Sequence, residues 1–578
     1  MTPFEIAHVP FEQHSIAGWA QQNPRHRNWP VVYLLDGIQT ASNSVYVGET
    51  INVASRMRQH LDGPKKSAGL HSVRVVIHDE FNKSACLDLE SHLIRWLAGD
   101  GRLTVLNGNE GITDAQYFNR DLYRESFADI FEALRNRGVF QRTIPEIENS
   151  DLFKLSPFKS LTHDQGIALE EILESLLNDL GKQATETTSV IQGQPGTGKT
   201  IIAIYLMKLI ADIRDHDDDD GVDPDSMFAE FFTPENRERL RDFRMGLVIP
   251  QQSLRESVTQ VFKKTPKIHT SMVLTPWDVG GSTERFDLLI VDEAHRLNLR
   301  ANQASGPMNV RYGAINDALF GEDDVRLTQL DWIMRQSDHR LLLLDPEQSI
   351  RPADLAPETI TDLVRRAKRD HRLFPLTTQM RVQAGADYVG FIRSLLRGQG
   401  VTRPSLGKYD LRLFDDIGEM RRAIRDMDAK HGLSRMIAGF AWDWVSKRDK
   451  SLYDIELGGE RMRWNGTAID WINSPGSLDE VGSIHTVQGY DLNYAGVIIG
   501  PDLRLDPVTG RIYADRDSYR DKKGKENNPK LGKIYDDEDL LVFIRNVYGV
   551  LLTRGMLGTF IYVCDPGLRE WLRSHITG

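Results

Sequence analysis

A chain of 578 residues, at roughly 150 residues per globular domain, has room for three or four separately cored domains. Its 83 Asp and Glu outnumber 71 Lys and Arg, giving a formal net charge of −12, so the molecule as a whole is not a basic nucleic-acid binder and any polyanion site must be local. Two cysteines, Cys86 and Cys564, lie far apart without CxxC spacing, which argues against a disulfide framework or a zinc site and for a reducing, cytoplasmic setting. The first residues lack a basic segment followed by an apolar core, and no apolar run approaches the roughly 18 residues that cross a bilayer, so secretion and membrane insertion are not expected.

In chain order, VVYLL from Val31 and VYVGE from Val45 are β-branched and aromatic runs joined by the turn-rich DGIQTASNS, which reads as a hairpin. A helix is expected over residues 52–61, a strand over 73–77 and a helix over 84–97, together a small α+β unit ending near residue 111. On the first of these helices Arg56 and His60 are i and i+4 and share a face. On the second, Leu87, Leu93, Ile94 and Leu97 define an apolar face with Asp88, His92 and Arg95 opposite. Glu90 falls inside the apolar face, where a carboxylate needs a cation or a hydrogen-bonded partner, Arg56 being the structural alternative. Residues 121–137 form an amphipathic bridging helix, and FQRTIPEIENSDLFKLSPFKS reads as a linker with two prolines.

From Leu161 onward, short apolar runs (SVIQG, MGLVIP, FDLLIVDE, RLLLLD) alternate with helical segments, the pattern of buried parallel strands. RDHDDDDGVDPDS is an acidic surface insertion. From about Gln379 a second set of strands (RMIAGF, VGSIH, AGVIIG, TFIYVCD) predicts another α/β domain, interrupted by a polar excursion over residues 502–539. The expected organisation is a small α+β domain over 1–112, a helical connector and linker over 113–160, and two α/β domains over 161–375 and 376–578.

The most specific motif runs from Gly193 through Pro195, Gly196, Thr197 and Gly198 to Lys199 and Thr200, directly after a strand and before a helix. This is GxxxxGK[ST] in the context its chemistry requires: glycines let backbone N–H groups wrap phosphates, Lys199 neutralises the β- and γ-phosphates, and the Thr200 hydroxyl ligates Mg²⁺. FDLLIVDEAH supplies Asp292 as the Mg²⁺ partner and Glu293 as the water-activating base. The cofactor expected here is ATP with Mg²⁺.

Further segments resemble superfamily 1 helicases in the family's order. LTHDQ carries Gln165, similar to the adenine-reading glutamine; LLLLDPEQSIRP carries Asp345 and Gln348, similar to the γ-phosphate sensors; LTTQMR and VLLTRGMLG carry Arg381 and Arg554, similar to the two arginines of a second RecA-like domain. VGSIHTVQGYDLNYAGVIIG resembles the fifth motif, with His485, Gln488 and Gly489, and departs from it at Thr486, where lysine is frequent, and at Asp491, where glutamate often reads the ribose. With YDIELGGERMRWN and NVYGVLLTRGMLGTF, these segments resemble the Schlafen group 3-like DNA/RNA helicase domain, which implies two tandem RecA-like P-loop domains with parallel sheets. A single-stranded path would use Gln251, Ser253 and Arg255 after a strand, His485, and Trp277, with Trp442 and Trp444 as further stacking candidates, although core packing explains each tryptophan equally well.

At the N-terminal end, VVY and YVG, followed by ETINVASRMRQH, resemble the GIY-YIG nuclease family, with VVY in place of GIY and Val47 in place of Ile. The resemblance implies metal-dependent phosphodiester hydrolysis: Tyr33 or Tyr46 positions or deprotonates water, Arg56 balances developing charge, His60 orients a tyrosine or exchanges protons, and Glu90 holds one Mg²⁺ or Mn²⁺. Asn107 matches the family's late asparagine, with Asn109 close by. The combined expectation is an ATP-dependent nuclease-helicase acting on nucleic acid, DNA ahead of RNA, in defence against foreign DNA or in repair. An ATP-gated nucleic-acid-binding switch or an RNA-directed helicase is the alternative, and a homo-oligomer or protein partner stays open.

Overall fold

The computed structural model describes residues 3–38, 43–63, 68–108, 116–216, 226–300, 303, 306–345, 352–378, 382, 384, 386–467, 471–487, 491–525, 527, 532 and 534–576. The chain divides into two compact units. One takes in Met1–Gln183, Thr200–Phe243 and Ser257–Met272; the other takes in Ala184–Lys199, Arg244–Glu256 and Val273–Gly578. Among the described residues no helix is long and apolar enough to cross a membrane.

The first unit holds a five-stranded sheet. Its strands are β1 (Phe4–Pro10), β2 (Val31–Asp36), β3 (Ser44–Thr50), β4 (Ser72–His78) and β5 (Thr104–Val105), in the order β1-β4-β2-β3-β5. All pairings are antiparallel except β3 with β5. The predicted hairpin is β2 and β3, with Tyr33 directly opposite Gly48. Every residue of β2 is buried because both faces are covered: Val31, Tyr33 and Leu35 pack toward the helix Val53–Asp62, and Val32 and Leu34 pack toward the helix Lys83–Asp100.

Two expectations change here. The helix Lys83–Asp100 has no polar side facing water: Leu87 is 44% exposed, whereas Asp88, assigned to the solvent face, is buried. The reason is the helix Arg120–Asn136, which lays Phe127, Ile130, Phe131 and Leu134 into the same core and brings two arginines onto Asp88. Arg124 forms two 2.9 Å bonds to that carboxylate, Arg120 approaches at 3.3 Å, and Tyr117 donates to it at 3.0 Å. Burial alone would raise the pKa of Asp88; the bonds from His92 and Arg124 overcome it and hold the group well below the usual carboxylate range.

The stretch read as a linker also folds, into the short helices Ile144–Glu148 and Asp151–Lys154. These press on the C-terminal end of Lys83–Asp100, where a Cβ on Gly99 would lie 2.8 Å from both Ile147 and Phe153. Asp151 accepts a 2.5 Å bond from Ser257 of the helix Gln252–Lys264.

The second unit holds two parallel sheets. The first comprises β6 (Thr187–Gly193), β7 (Met245–Val248), β8 (Val273–Leu274), β9 (Phe286–Val291), β10 (Ser337–Leu344) and β11 (Leu373–Leu376), in the order β11-β6-β10-β9-β7-β8. The second comprises β12 (Asp410–Phe414), β13 (Ser434–Ala438), β16 (Val481–Ser483), β17 (Leu492–Ile499) and β20 (Gly555–Val563), in the order β12-β20-β17-β13-β16. Two small hairpins lie outside these sheets, β14 (Ile455–Leu457) with β15 (Glu460–Met462), and β18 (Leu503–Leu505) with β19 (Ile512–Ala514); the latter occupies part of the polar excursion. The fold is α/β, with two parallel-sheet RecA-like domains and a small α+β domain ahead of them.

Candidate functional site

The first candidate site gathers on the β2–β3 hairpin. The Tyr33 hydroxyl lies 2.7 Å from His60 Nε2, and Arg56 Nε donates to the same hydroxyl at 3.4 Å. The Tyr46 ring stands 6.4 Å from that of Tyr33 and 5.4 Å from that of His60. Thus the i, i+4 pair on Val53–Asp62 does face the tyrosines. Tyr33 is fully buried and Tyr46 only partly so. Burial, followed by the neighbouring Tyr46, pushes the Tyr33 pKa well above the ordinary phenol value against the opposing pull of Arg56. Gly48 is required by this arrangement, since a Cβ there would lie 2.3 Å from the Tyr33 hydroxyl.

Asn107 is buried and bonds both ways to one residue: its Oδ1 accepts from the Val47 N–H at 3.0 Å and its Nδ2 donates to the Val47 carbonyl at 2.8 Å. It therefore fixes the strand between Tyr46 and Gly48. Asn109 lies outside the described residues. Glu90 is 9% exposed on Lys83–Asp100. Its charge is felt at Tyr33, and the charges of Glu49 and Glu90 are both felt at Cys86, so two carboxylates lie near one thiol whose pKa burial pushes upward. Among the described residues no group of three or more His, Cys, Asp or Glu assembles, so a divalent ion here would take few protein ligands. A carboxylate such as Glu90 is a donor for a hard divalent cation, which keeps its remaining positions for water and substrate phosphates.

The second candidate site lies at the carboxyl ends of β6, β10 and β9, which are adjacent in their sheet. The loop after β6 needs glycine at Gly196 and Gly198, where φ is 84° and 80°. Lys199 Nζ donates to the carbonyls of Gly193 at 2.7 Å and Gln194 at 3.2 Å, and Thr197 Oγ1 donates to the latter at 2.9 Å. Asp292 is fully buried beyond β9, its Oδ1 accepting the N–H of Glu293 at 2.9 Å. Glu293 holds a left-handed backbone, φ 49°, a conformation disfavoured for any residue with a Cβ. Desolvation would raise its pKa, but His295, Arg296 and Lys199 together bring it well below the usual carboxylate range.

His295 was not singled out from the sequence. It is fully buried, with Nε2 3.1 Å from Glu293 Oε2 and Nδ1 accepting the Asp345 N–H at 3.5 Å. The two residues are close enough to interact electrostatically, although neither His295 Nε2 nor Glu293 Oε2 has a hydrogen-bond partner among the described residues. Its position three residues after Asp292 was visible, but its partner Asp345 is fifty residues away.

The remaining candidates divide. Gln165 closes a capping box with Thr162 at the start of the helix His163–Gly181, its Oε1 accepting the Thr162 N–H at 3.0 Å. Gln251 Nε2 donates to Ser253 at 3.0 Å, and Arg255 turns back to the Ile249 carbonyl at 2.9 Å. Trp277 packs edge-on against Trp332 at 5.4 Å and Tyr312 at 5.7 Å, with the Arg311 guanidinium 5.2 Å over its ring. Arg554 is buried just ahead of β20, and Asp491 is partly buried ahead of β17. Gln348, Arg381, Gln488 and Gly489 lie outside the described residues, as does the side chain of His485.

Residues 30–101 match the GIY-YIG catalytic domain, and residues 186–565 match the Schlafen group 3, DNA/RNA helicase domain. An uncharacterized protein of Saccharomyces cerevisiae is 25% identical over 465 residues, covering 74% of this chain and 93% of the yeast protein. Among solved structures, the Pif1 helicase from Bacteroides, crystallised with ADP-AlF3 and ssDNA, aligns at a TM-score of 0.24 and 9% identity over 67% of this chain and 91% of that one. With more than half of its length inside the helicase-domain match, and a GIY-YIG catalytic domain ahead of it, the chain belongs to the Schlafen group 3 DNA/RNA helicase domain family.

Proposed function

We propose that the protein is an ATP-dependent nuclease-helicase: residues 161–375 and 376–578 bind and hydrolyse ATP while moving on nucleic acid, and residues 1–112, joined through 113–160, cut it. The single observation that carries this reading is one chain holding both a glycine-shaped phosphate loop beside Asp292 and Glu293, and a Tyr33–His60–Arg56 cluster beside Tyr46. Lys199 would exchange its loop carbonyls for the β- and γ-phosphates, Asp292 and Thr200 would hold Mg²⁺, and Glu293, kept ionised by the neighbouring His295 and Arg296, would accept a proton from attacking water. Arg381 and Arg554 would steady the charge on the transferring phosphoryl group, with Gln165, Asp345, Gln348, Gln488, Gly489 and Asp491 around the nucleotide.

At the nuclease, Tyr46, the more exposed tyrosine, or Tyr33 would position or deprotonate the attacking water, and His60, in contact with the Tyr33 hydroxyl, would orient that tyrosine or exchange protons. Arg56 would offset the charge that develops on phosphorus, and a Mg²⁺ or Mn²⁺ on Glu90 would supply Lewis-acid stabilisation of the leaving oxygen. We favour DNA over RNA as the substrate and a role against foreign DNA. The test is a matrix of labelled single-stranded, duplex, forked and RNA substrates, with and without ATP and each metal. Lys199→Ala should abolish strand-stimulated ATP turnover and Glu90→Ala should abolish cutting alone. Turnover that survives Lys199→Ala sinks the motor, and a wild-type protein that cuts nothing with either metal sinks the nuclease.

A further inference from the structure

Within the second unit a cavity of about 270 Å³ opens beside Pro195 of the phosphate loop. Its other walls come from the helices Ala386–Leu396 and Asp537–Leu552, which pack on each other. Three arginines line it: Arg393 and Arg397, one helical turn apart on the same face, and Arg545 from the second helix. Its apolar floor includes Leu396 and Val550, and no carboxylate is among its described lining residues. None of the three arginines was among the candidates taken from the sequence.

Arg545 is the arginine supplied by the helix Asp537–Leu552. Its Nη2 reaches the Ile512 carbonyl at 3.5 Å, and among the described residues its Nε is buried with no hydrogen-bond partner. Burial holds its pKa below the ordinary guanidinium value; Glu538 opposes this and Arg397 adds to it. Like charges crowd a space ample for a tetrahedral anion. A guanidinium that leaves a donor unmet is poorly stabilised until an anion arrives, and the planar fork suits phosphate oxygens above other ligands.

We propose that this cavity is a phosphate pocket serving the nucleotide site, taking either the terminal phosphate while it is still part of the nucleotide or the orthophosphate released from it. This rests on the ATPase reading above, because Pro195 ties the cavity to the phosphate loop. Arg554 is not among its described lining residues, and the pocket gives the second lobe a direct readout of what the loop holds.

The experiment uses the full chain without nucleic acid, with calorimetric titration of a non-hydrolysable triphosphate, of ADP, and of orthophosphate onto the ADP-loaded protein. If the pocket takes the attached phosphate, Arg545→Gln and Arg397→Gln weaken the triphosphate roughly tenfold or more and leave ADP unchanged. If it takes the released group, both variants lose orthophosphate binding and keep both nucleotides. Unchanged ADP affinity certifies the fold of each variant; should Arg545→Gln fail that check, Arg545→Lys, which keeps the charge and loses the fork, replaces it. The proposal is overturned if all three ligands bind both variants as they bind wild type, or if the only loss is in binding single-stranded DNA or RNA. A wild-type protein that binds no nucleotide refutes the ATPase reading instead. The pocket then stands or falls on whether orthophosphate alone raises the melting temperature of wild type and Lys199→Ala and not that of Arg545→Gln.

Discussion

Gly48→Ala is the sharpest probe of the nuclease site, because the added atom has one place to go. The new Cβ would sit 2.3 Å from the Tyr33 hydroxyl oxygen and 2.4 Å from the carbon bearing it, where ordinary contact is about 3.5 Å or more. Something must move by about 1 Å. The backbone cannot yield easily, since β2 is paired with β3 on one side and β4 on the other, so the Tyr33 ring turns and leaves its 2.7 Å contact with His60. Overpacking of this kind costs roughly 1–3 kcal/mol and the lost hydrogen bond about 1 more. A local loss of roughly 2–4 kcal/mol should speed amide exchange in peptides covering β2 and β3 by roughly 30- to 1,000-fold, and cutting should fall with it. Gly18→Ala is the comparison: a Cβ there meets nothing within 4 Å on the helix Gln13–Gln22, so it should stabilise by roughly 0.5–1 kcal/mol. A Gly48→Ala protein that exchanges and cuts like wild type would refute the account of why a glycine stands opposite Tyr33.

His295→Leu removes the imidazole that lies 3.1 Å from Glu293 and should lower ATP turnover roughly 10- to 100-fold in steady-state assays while leaving ADP affinity intact; unaltered turnover would show that His295 does not support the base. Asp88→Ala strands Arg120 and Arg124 against one another and should cost roughly 3–5 kcal/mol, read as earlier melting of the N-terminal unit. Because the folded pKa of Asp88 is depressed, the stability it contributes is present above the ordinary aspartate range and declines as pH falls below it. Asp502 behaves in the opposite sense: burial raises its pKa to about 7, with Tyr548 donating to it at 2.6 Å and Asp515 and Cys564 nearby. Ionising it therefore destabilises the fold as pH rises from about 4 toward 7, and Asn, which keeps an acceptor for Tyr548, should be more stable at pH 8 by roughly 1–4 kcal/mol and flatten that slope in melting curves.

The parallel strands were readable because both faces of each are buried, so apolar runs are continuous: Leu341 to Leu344 in β10 and Leu288 to Val291 in β9 need no partner to be recognised. The phosphate loop was readable because its glycines answer to backbone geometry rather than to packing. Edge strands carried a weaker signal. β11 is four residues with Pro375, tolerated because β6 is its only neighbour, and β12 alternates with Arg412. The misjudged side of Lys83–Asp100 has the same origin as the hidden role of His295. In each case the deciding partner is distant in sequence, Arg124 for Asp88 and Asp345 for His295, and periodicity along one helix contains no information about what will cover it.

The core beneath the β2–β3 hairpin is completed by Phe127, Ile130, Phe131, Leu134, Val139, Phe140 and Ile147, all supplied by the chain after residue 112. A gene fragment ending there would thus encode a catalytic cluster with one wall missing. Recombination that moves this GIY-YIG domain to a new host protein must carry the stretch through Lys154, within which Asp151 is already bonded to the helix Gln252–Lys264. The GIY-YIG and helicase domains are therefore expected to be inherited together rather than exchanged as cassettes.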